Sequence, residues 1–265
     1  MRLALPIALV LAVLPRAASA DPSSDRVFTA PTAWLPPAGG VVATGSVDLR
    51  EVFDARLESG LVIGIGLGGI AAVDVGVDTD LRACTSCDDT KAVPIYLGRA
   101  SFRLGARQDL LFRGQPALLA GVRTSFAASG SFRDVKVTEA YLVASRVLGP
   151  VRLHAGVAIL DAGFTDTGPA DADVRISLGP TPTPIAGIEL TPKQYPKTTL
   201  MADLTYSPKL ERGGGGPAVT TEFVAGWGVR YQAFGWGAID LAIRYREDDE
   251  LGDATVLMRL TGVWR

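Results

Sequence analysis

The sequence predicts an all-β protein, a transmembrane up-and-down antiparallel β-barrel of about twelve strands. Three observations predict it. Apolar residues alternate with small or polar ones at period two in about twelve separate segments. The connections between those segments alternate short and long. A segment of secretory type precedes them all. A strand with one apolar and one polar face belongs between something oily and something wet. A series of about twelve behind an export signal is the pattern of a bacterial outer-membrane barrel.

The export signal is residues 1–20. Arg2 gives a short basic start, Leu3 to Leu14 is an apolar run, and Ala18-Ser19-Ala20 offers a small-residue cleavage site before Asp21. The apolar run is about half the length a spanning helix needs, and no later stretch has eighteen uninterrupted apolar residues, so helical spans are excluded. Residues 21–40 are expected to form an extended periplasmic lead and 41–265 the barrel. With 48% apolar and 20% charged residues and 30 glycines, the 265-residue chain is too hydrophobic for disorder and too interrupted for membrane helices. The formal charge of −2 becomes −4 once the signal is removed, because it carries Arg2 and Arg16 and no acid. A mildly acidic chain without a basic cluster gives no reason to expect nucleic acid as a partner.

The first strand is Val41 to Arg50, with Val41, Ala43, Val47 and Leu49 opposite Thr44, Ser46, Asp48 and Arg50. Leu57 to Leu67 follows, with Leu61, Ile63, Ile65 and Leu67 against Glu58, Gly60, Gly64 and Gly66. Ala71 to Arg82 sets Val73, Val75, Val77 and Leu81 opposite Asp74, Asp78, Asp80 and Arg82, and Ile95 to Arg107 sets Tyr96, Phe102 and Leu104 opposite Arg99, Ser101, Arg103 and Arg107. Further strands are expected at Pro116 to Phe126, Val135 to Val147, Val151 to Asp161, Ile185 to Leu190 (or, in its place, Val174 to Leu178), Thr198 to Tyr206, Val219 to Phe234 and Ile239 to Arg246. The closing strand is the clearest: Val256, Met258, Leu260, Gly262 and Trp264 share one face, and Thr255, Arg259, Thr261 and Arg265 the other.

Connection lengths are an independent check. Gly68-Gly69, Leu148-Gly149-Pro150 and Gly235-Trp236-Gly237 read as tight turns after the second, sixth and tenth strands, all at one end of an up-and-down barrel. The longer pieces, Ala83 to Val93, Ala162 to Pro184, Ser207 to Pro217 and Glu247 to Asp253, collect at the other end. Short periplasmic turns and longer outer loops are the asymmetry of such barrels, whereas a soluble sandwich or lipocalin-like barrel has no reason to sort its loops by parity. An even count leaves both termini in the periplasm. Trp227, Trp236, Tyr245 and Trp264 lie toward strand ends, where an interfacial girdle would sit.

The closing strand, with Leu260, Gly262 and Trp264, resembles the C-terminal signal that hands outer-membrane proteins to the barrel-insertion machinery, although that signal usually ends on the aromatic and here Arg265 follows it. Phe28-Thr29-Ala30-Pro31-Thr32-Ala33-Trp34-Leu35-Pro36, with Gly187-Ile188-Glu189-Leu190-Thr191-Pro192 and Leu200-Met201-Ala202-Asp203-Leu204, resembles the YjbH-like barrels linked to exopolysaccharide production. These pieces cover under a fifth of the chain. The resemblance implies a structural or accessory role beside a polysaccharide-secretion partner.

If the apolar faces meet lipid, the lumen holds Asp48, Glu58, Asp74, Asp78, Asp80, Arg99, Arg103, Arg107, Arg123, Lys136, Arg146, Arg152, Asp203, Glu222, Arg230, Asp240, Arg244, Arg246 and Arg259. Folding the third and fourth strands together brings Asp78 near Arg99 and Asp74 near Arg103. Two readings stand. Inward charges can pair and close the lumen. Alternatively Asp74, Asp78, Arg99, Arg103, Arg107, Arg123, Arg152, Arg230, Asp240 and Arg244 can line the constriction of an open pore. The expected function is a narrow passive channel for small polar or charged solutes, with no catalysis, cofactor or metal.

Other chemistry is sparse. Cys84 and Cys87 are expected to form a disulfide clip in an outer loop, since an oxidising compartment favours it and two thiols do not complete a zinc site. The Glu247 to Glu250 run reads as surface charge or as a cation-binding stretch, and Gly213 to Gly216 as a flexible loop rather than a phosphate cradle. His154, the only histidine, shares the inward face of Arg152 and Gly156 and is the residue through which a lipid-modifying enzyme would act. Its nearest candidate partners, Glu139 and Ser145, fall on the face opposite Lys136 and Arg146 and so are expected to point away from it.

Overall fold

The computed structural model describes residues 26–50, 56–78, 82–84, 93–94, 97–127, 134–167, 173–213, 216–247 and 254–264. The signal-peptide segment, the start of the lead at Asp21, and Asp80 and Cys87 lie outside the described residues, as do the side chains of Glu58 and Asp78.

Twelve strands close an antiparallel barrel. In order round the wall they are β1 (Val41–Arg50), β2 (Arg56–Leu67), β3 (Ala71–Asp78), β6 (Leu97–Ala106), β7 (Ala117–Ala127), β8 (Asp134–Leu148), β9 (Val151–Thr167), β11 (Thr181–Leu190), β12 (Thr198–Gly213), β13 (Gly216–Phe234), β14 (Gly237–Arg246) and β15 (Thr255–Trp264). Closure is made by β1 on β15, with Val41 opposite Trp264 and Leu49 opposite Val256. Three short strands lie off this ring. These are β4 (Arg82–Cys84), parallel to the end of β12; β5 (Val93–Pro94), on β4; and β10 (Asp173–Ser177), on the end of β9. Both segments weighed for the eighth strand are therefore strands: Thr181–Leu190 is in the wall and Asp173–Ser177 is an added edge.

The period-two pattern dictates this arrangement. Leu61, Ile63 and Ile65 on β2, Val73, Val75 and Val77 on β3, Phe102 and Leu104 on β6, and Val256, Met258 and Leu260 on β15 are all exposed, while Asp74, Arg99, Ser101, Arg103, Thr255, Arg259 and Thr261 are buried. A continuous exposed apolar surface around a charged interior is stable only against lipid. The β2–β3 turn has Gly68 and Gly69 both at positive φ (63° and 72°), a backbone that side-chain-bearing residues resist. Two expected loops are in large part strand. Ser207 to Gly213 continues β12, with Ser207 opposite Glu222 and Gly213 opposite Gly216 on β13, and Ala162 to Thr167 continues β9, with Ala162 opposite Val137 and Thr167 opposite Asp173.

Aromatic side chains mark two levels. At the short-turn end Trp236 stacks on Phe234 at 5.1 Å and on Trp264 at 5.5 Å between ring centroids. Trp264 is buried beneath this stack rather than exposed in a girdle. At the other end Tyr206 meets Phe223 edge-on at 6.1 Å, and Tyr245 and the exposed Trp227 lie nearby on β14 and β13. From Trp236 to Tyr245 a tilted strand climbs about 23 Å, close to the apolar thickness such barrels present.

Candidate functional site

A barrel of twelve strands has a backbone radius of about 12 Å, so wall side chains alone leave a central space roughly one peptide segment wide. Residues 26–35 occupy it. The extended periplasmic lead expected over 21–40 is corrected for this part of it, which folds into the lumen. Val27 and Ala30 are fully buried, and Phe28, Thr29 and Thr32 nearly so. The segment turns back at its tip, with Val27 N–H donating to Ala30 C=O at 3.0 Å and Arg26 bridged to Pro31.

Two wall residues hold that turn. Asp203 on β12 accepts, on the single oxygen Oδ2, the backbone N–H groups of Phe28, Thr29 and Ala30 at 3.0, 2.6 and 2.7 Å. Arg259 on β15 donates to the carbonyls of Val27 and Phe28, the latter at 3.1 Å. A buried peptide turn must have its polar groups satisfied, and here one carboxylate and one guanidinium supply the partners. Apolar contacts complete the seat. Val27 and Phe28 pack on Met201, Ala242 and Leu257, while Ala30 packs among Leu119, Val143, Ala158 and Ile185. Gly226 makes the approach possible, since a Cβ there would stand 2.5 Å from Asp203 Oδ1 and 3.1 Å from the Phe28 ring. Trp34 then packs against Val42 and Val263, and the chain leaves for β1 beside Gly66.

Ion pairs cross much of the remaining lumen. Asp74 binds both Arg99 and Arg103 at 3.1 Å and accepts from Ser101 at 2.5 Å. The expected Asp74–Arg103 pair is present, and Arg99 turns to Asp74 as well. Arg123 pairs with Glu139 at 2.6 Å, Arg152 with Glu189 at 3.2 Å, Arg244 with Asp48, and Arg246 with Glu222. Asp240, with no exposed surface, lies between Arg230 at 2.8 Å and Arg259 at 2.6 Å. Each of these charges is costly to bury alone and each has a counter-ion, so the lumen charges act as braces across the wall. Beyond them, toward the long-loop end, Leu97, Val135, Val137, Ala162 and Phe164 form an apolar cluster.

Two sequence assignments are corrected. On β8 the faces are reversed: Val135, Val137, Glu139, Val143 and Ser145 are buried, while Lys136 is exposed and Leu142 is 54% exposed, on the side that Arg146 shares by alternation. The inward apolar residues of β8 pack on protein inside the barrel, so "apolar means lipid" fails for this strand. Arg107 lies past the end of β6 in an exposed turn at the rim, not in a buried constriction. Glu189, absent from the expected lumen set, is buried on β11 beside Arg152, His154 and Arg230. Ile185, on the same face, is buried as well.

At the short-turn end two adjoining cavities open. One, of about 370 Å³, is walled by residues 32–35 of the lumen segment, by Arg107, Gln108 and Arg152, and by Ser145 and His154. The other, of about 390 Å³, lies beside it, with Arg152, Glu189, Lys193, Lys197 and Arg230 on its wall. Ser145 and His154 are cross-strand partners, with Ser145 Oγ 2.7 Å from His154 Nδ1.

This geometry is that of a membrane β-barrel. The NanC porin superposes with a TM-score of 0.52 at 9% identity, covering 84% of this chain and 98% of that one. The KdgM porin in complex with disordered oligogalacturonate superposes with 0.50 at 8% identity, covering 84% and 98%. At such identities the likeness is one of fold. No family model matches the chain, and no curated protein does. The YjbH-like resemblance finds no support among these comparisons.

Proposed function

We propose that the protein is an outer-membrane channel for small polar or charged solutes whose lumen is closed, in this conformation, by its own residues 26–35. The signal of residues 1–20 would export it, and the mature chain would begin at Asp21. The observation that carries the reading is the attachment of the lumen segment through its backbone to Asp203 and Arg259, beside cavities that open at one end of the barrel. A segment held by side-chain bonds and apolar contacts can leave without dismantling the wall, because the backbone ladders of the wall strands run to one another. The porin-type fold and the charged interior support passage of hydrophilic solutes. Lipid on the outer face is the surrounding partner, and the insertion machinery is the expected route into it. Cys84, at the end of β4, and Cys87 are proposed to close a small disulfide clip, which thiol titration of the unfolded protein with and without reductant would count.

Single-channel recording of the refolded mature protein tests the function. The expected result is a mostly silent bilayer with rare steps, and frequent steps once Asp203 is replaced by alanine. Silence in both, with heat-modifiable migration confirming the folded barrel, would show instead a permanently filled, structural barrel.

A further inference from the structure

We propose that Ser145, His154 and Glu189 form a nucleophilic site that hydrolyses small water-soluble carboxylic esters at the short-turn end of the lumen. The three residues sit on adjacent wall strands, β8, β9 and β11, all pointing inward. The site belongs to the closed conformation, since Ala33 and the cavity wall at residues 32–35 are part of the lumen segment.

Ser145 Oγ accepts the backbone N–H of Ala33 at 2.9 Å and lies 2.7 Å from His154 Nδ1, within hydrogen-bond reach. In the tautomer with its hydrogen on Nε2, Nδ1 is the atom that takes the hydroxyl proton. Nε2 lies 3.6 Å from Glu189 Oε1, within ion-pair range and longer than a hydrogen bond, where the carboxylate's charge stabilises the imidazolium that follows proton transfer. A nucleophile within hydrogen-bond reach of a base, and a base oriented by an acid, is the constellation that activates a serine. Ser145 also lies on the wall of the 370 Å³ cavity, so one lone pair has space before it.

The chemistry balances without any other group. As Ser145 Oγ bonds to the ester carbonyl carbon, its proton passes to His154 Nδ1. The imidazolium returns that proton to the leaving alkoxide as the ester C–O bond breaks, and the acyl group stays on Ser145. Water, deprotonated by the same nitrogen, attacks the acyl carbon, and the carboxylic acid departs as Ser145 regains its proton. Arg152, with 28% of its side chain exposed on the cavity wall, is the cation toward which the carbonyl oxygen develops charge. Arg107 on the same wall would draw an anionic substituent. The site faces the lumen and not lipid, and the cavity is short, so the substrate class is a small anionic ester and not a long-chain lipid.

A competing account makes the cluster a buried polar brace with no reactivity. The mature barrel, refolded in detergent and checked by heat-modifiable migration, would be treated with a small fluorophosphonate and mapped by mass spectrometry. Expected are an adduct on Ser145, none in Ser145→Ala, and labelling slowed about a hundredfold in His154→Gln. Hydrolysis of p-nitrophenyl hemisuccinate should show the same losses. Ser145→Cys, in a Cys84→Ser/Cys87→Ser background, gives a second readout. A thiol paired with His154 should alkylate with iodoacetamide at pH 6 at least tenfold faster than a peptide cysteine, and His154→Gln should abolish that excess. Ordinary thiol reactivity together with an unlabelled Ser145 would overturn the proposal, as would labelling that ignores His154.

Discussion

Replacing Asp203 by alanine should release the lumen segment while leaving the wall intact. Its Oδ2 accepts three backbone N–H groups, at 2.6, 2.7 and 3.0 Å, in a site where Asp203 is only 6% exposed. A single hydrogen bond to a charged group contributes about 1.5–3 kcal/mol, and three on one oxygen are less than additive. Water entering the vacated space recovers part of the loss. A net weakening of about 3 kcal/mol is a reasonable scale, and at about 1.4 kcal/mol per decade it raises the undocked population roughly a hundredfold. Amide hydrogen exchange of a peptide spanning Phe28 to Ala30 reads this directly. Exchange of those amides should quicken by that factor in the variant, while exchange in β12 and β13, joined along their whole length, should hold. Unchanged exchange at 28–30 in a folded variant would mean that Asp203 does not hold the segment. Acceleration throughout the wall would mean that the segment is part of the barrel's stability and not a separable closure.

Three further outcomes follow from the same structure. Asp240→Asn leaves Arg230 and Arg259 facing a neutral amide in a fully buried position, so the barrel should lose about 3–5 kcal/mol in urea unfolding followed by tryptophan fluorescence; a loss under about 1 kcal/mol would contradict the bracing role. Gly66→Val should expel the stretch around Pro36 and Pro37, because a Cβ at 66 overlaps their carbonyl oxygens, and a protease site introduced at 36–38 should become cleavable only in that variant. Leu142→Arg should cost about 2–4 kcal/mol in lipid bilayers, since Leu142 is 54% exposed on the outer face of β8; tolerance of the arginine would mean that β8 has its charged residues inward after all.

The strand count was legible because lipid and water impose the same alternation on every wall strand that borders both. Over most of β2, β3, β6 and β15 small, polar or charged residues point inward and apolar ones outward, so the faces read from Ile63 against Gly64, or Met258 against Arg259, while Leu97 and Leu257 are apolar residues that point inward. The candidate ester site was not legible. On β8 the inward series sets Val135, Val137 and Val143 beside Glu139 and Ser145, and the outward side carries Lys136. That inversion hid Ser145 from His154.

By itself the sequence determined the class of fold, the number of wall strands, the turn-bearing end and the ion pair between the third and fourth strands. These follow from local periodicity, from glycine at tight turns and from the pairing of neighbouring strands, all of which act over short separations. Only the tertiary structure decided that the lumen is occupied. Asp203 and Arg259 reach the peptide groups of residues 27–30 across more than 170 positions of sequence, through backbone atoms that every residue shares. Hydrogen bonds to backbone leave no side-chain pattern to read. Once a peptide fills the lumen, apolar wall residues gain a dry inner surface to pack against, and the rule that assigns faces by hydrophobicity loses its physical basis there.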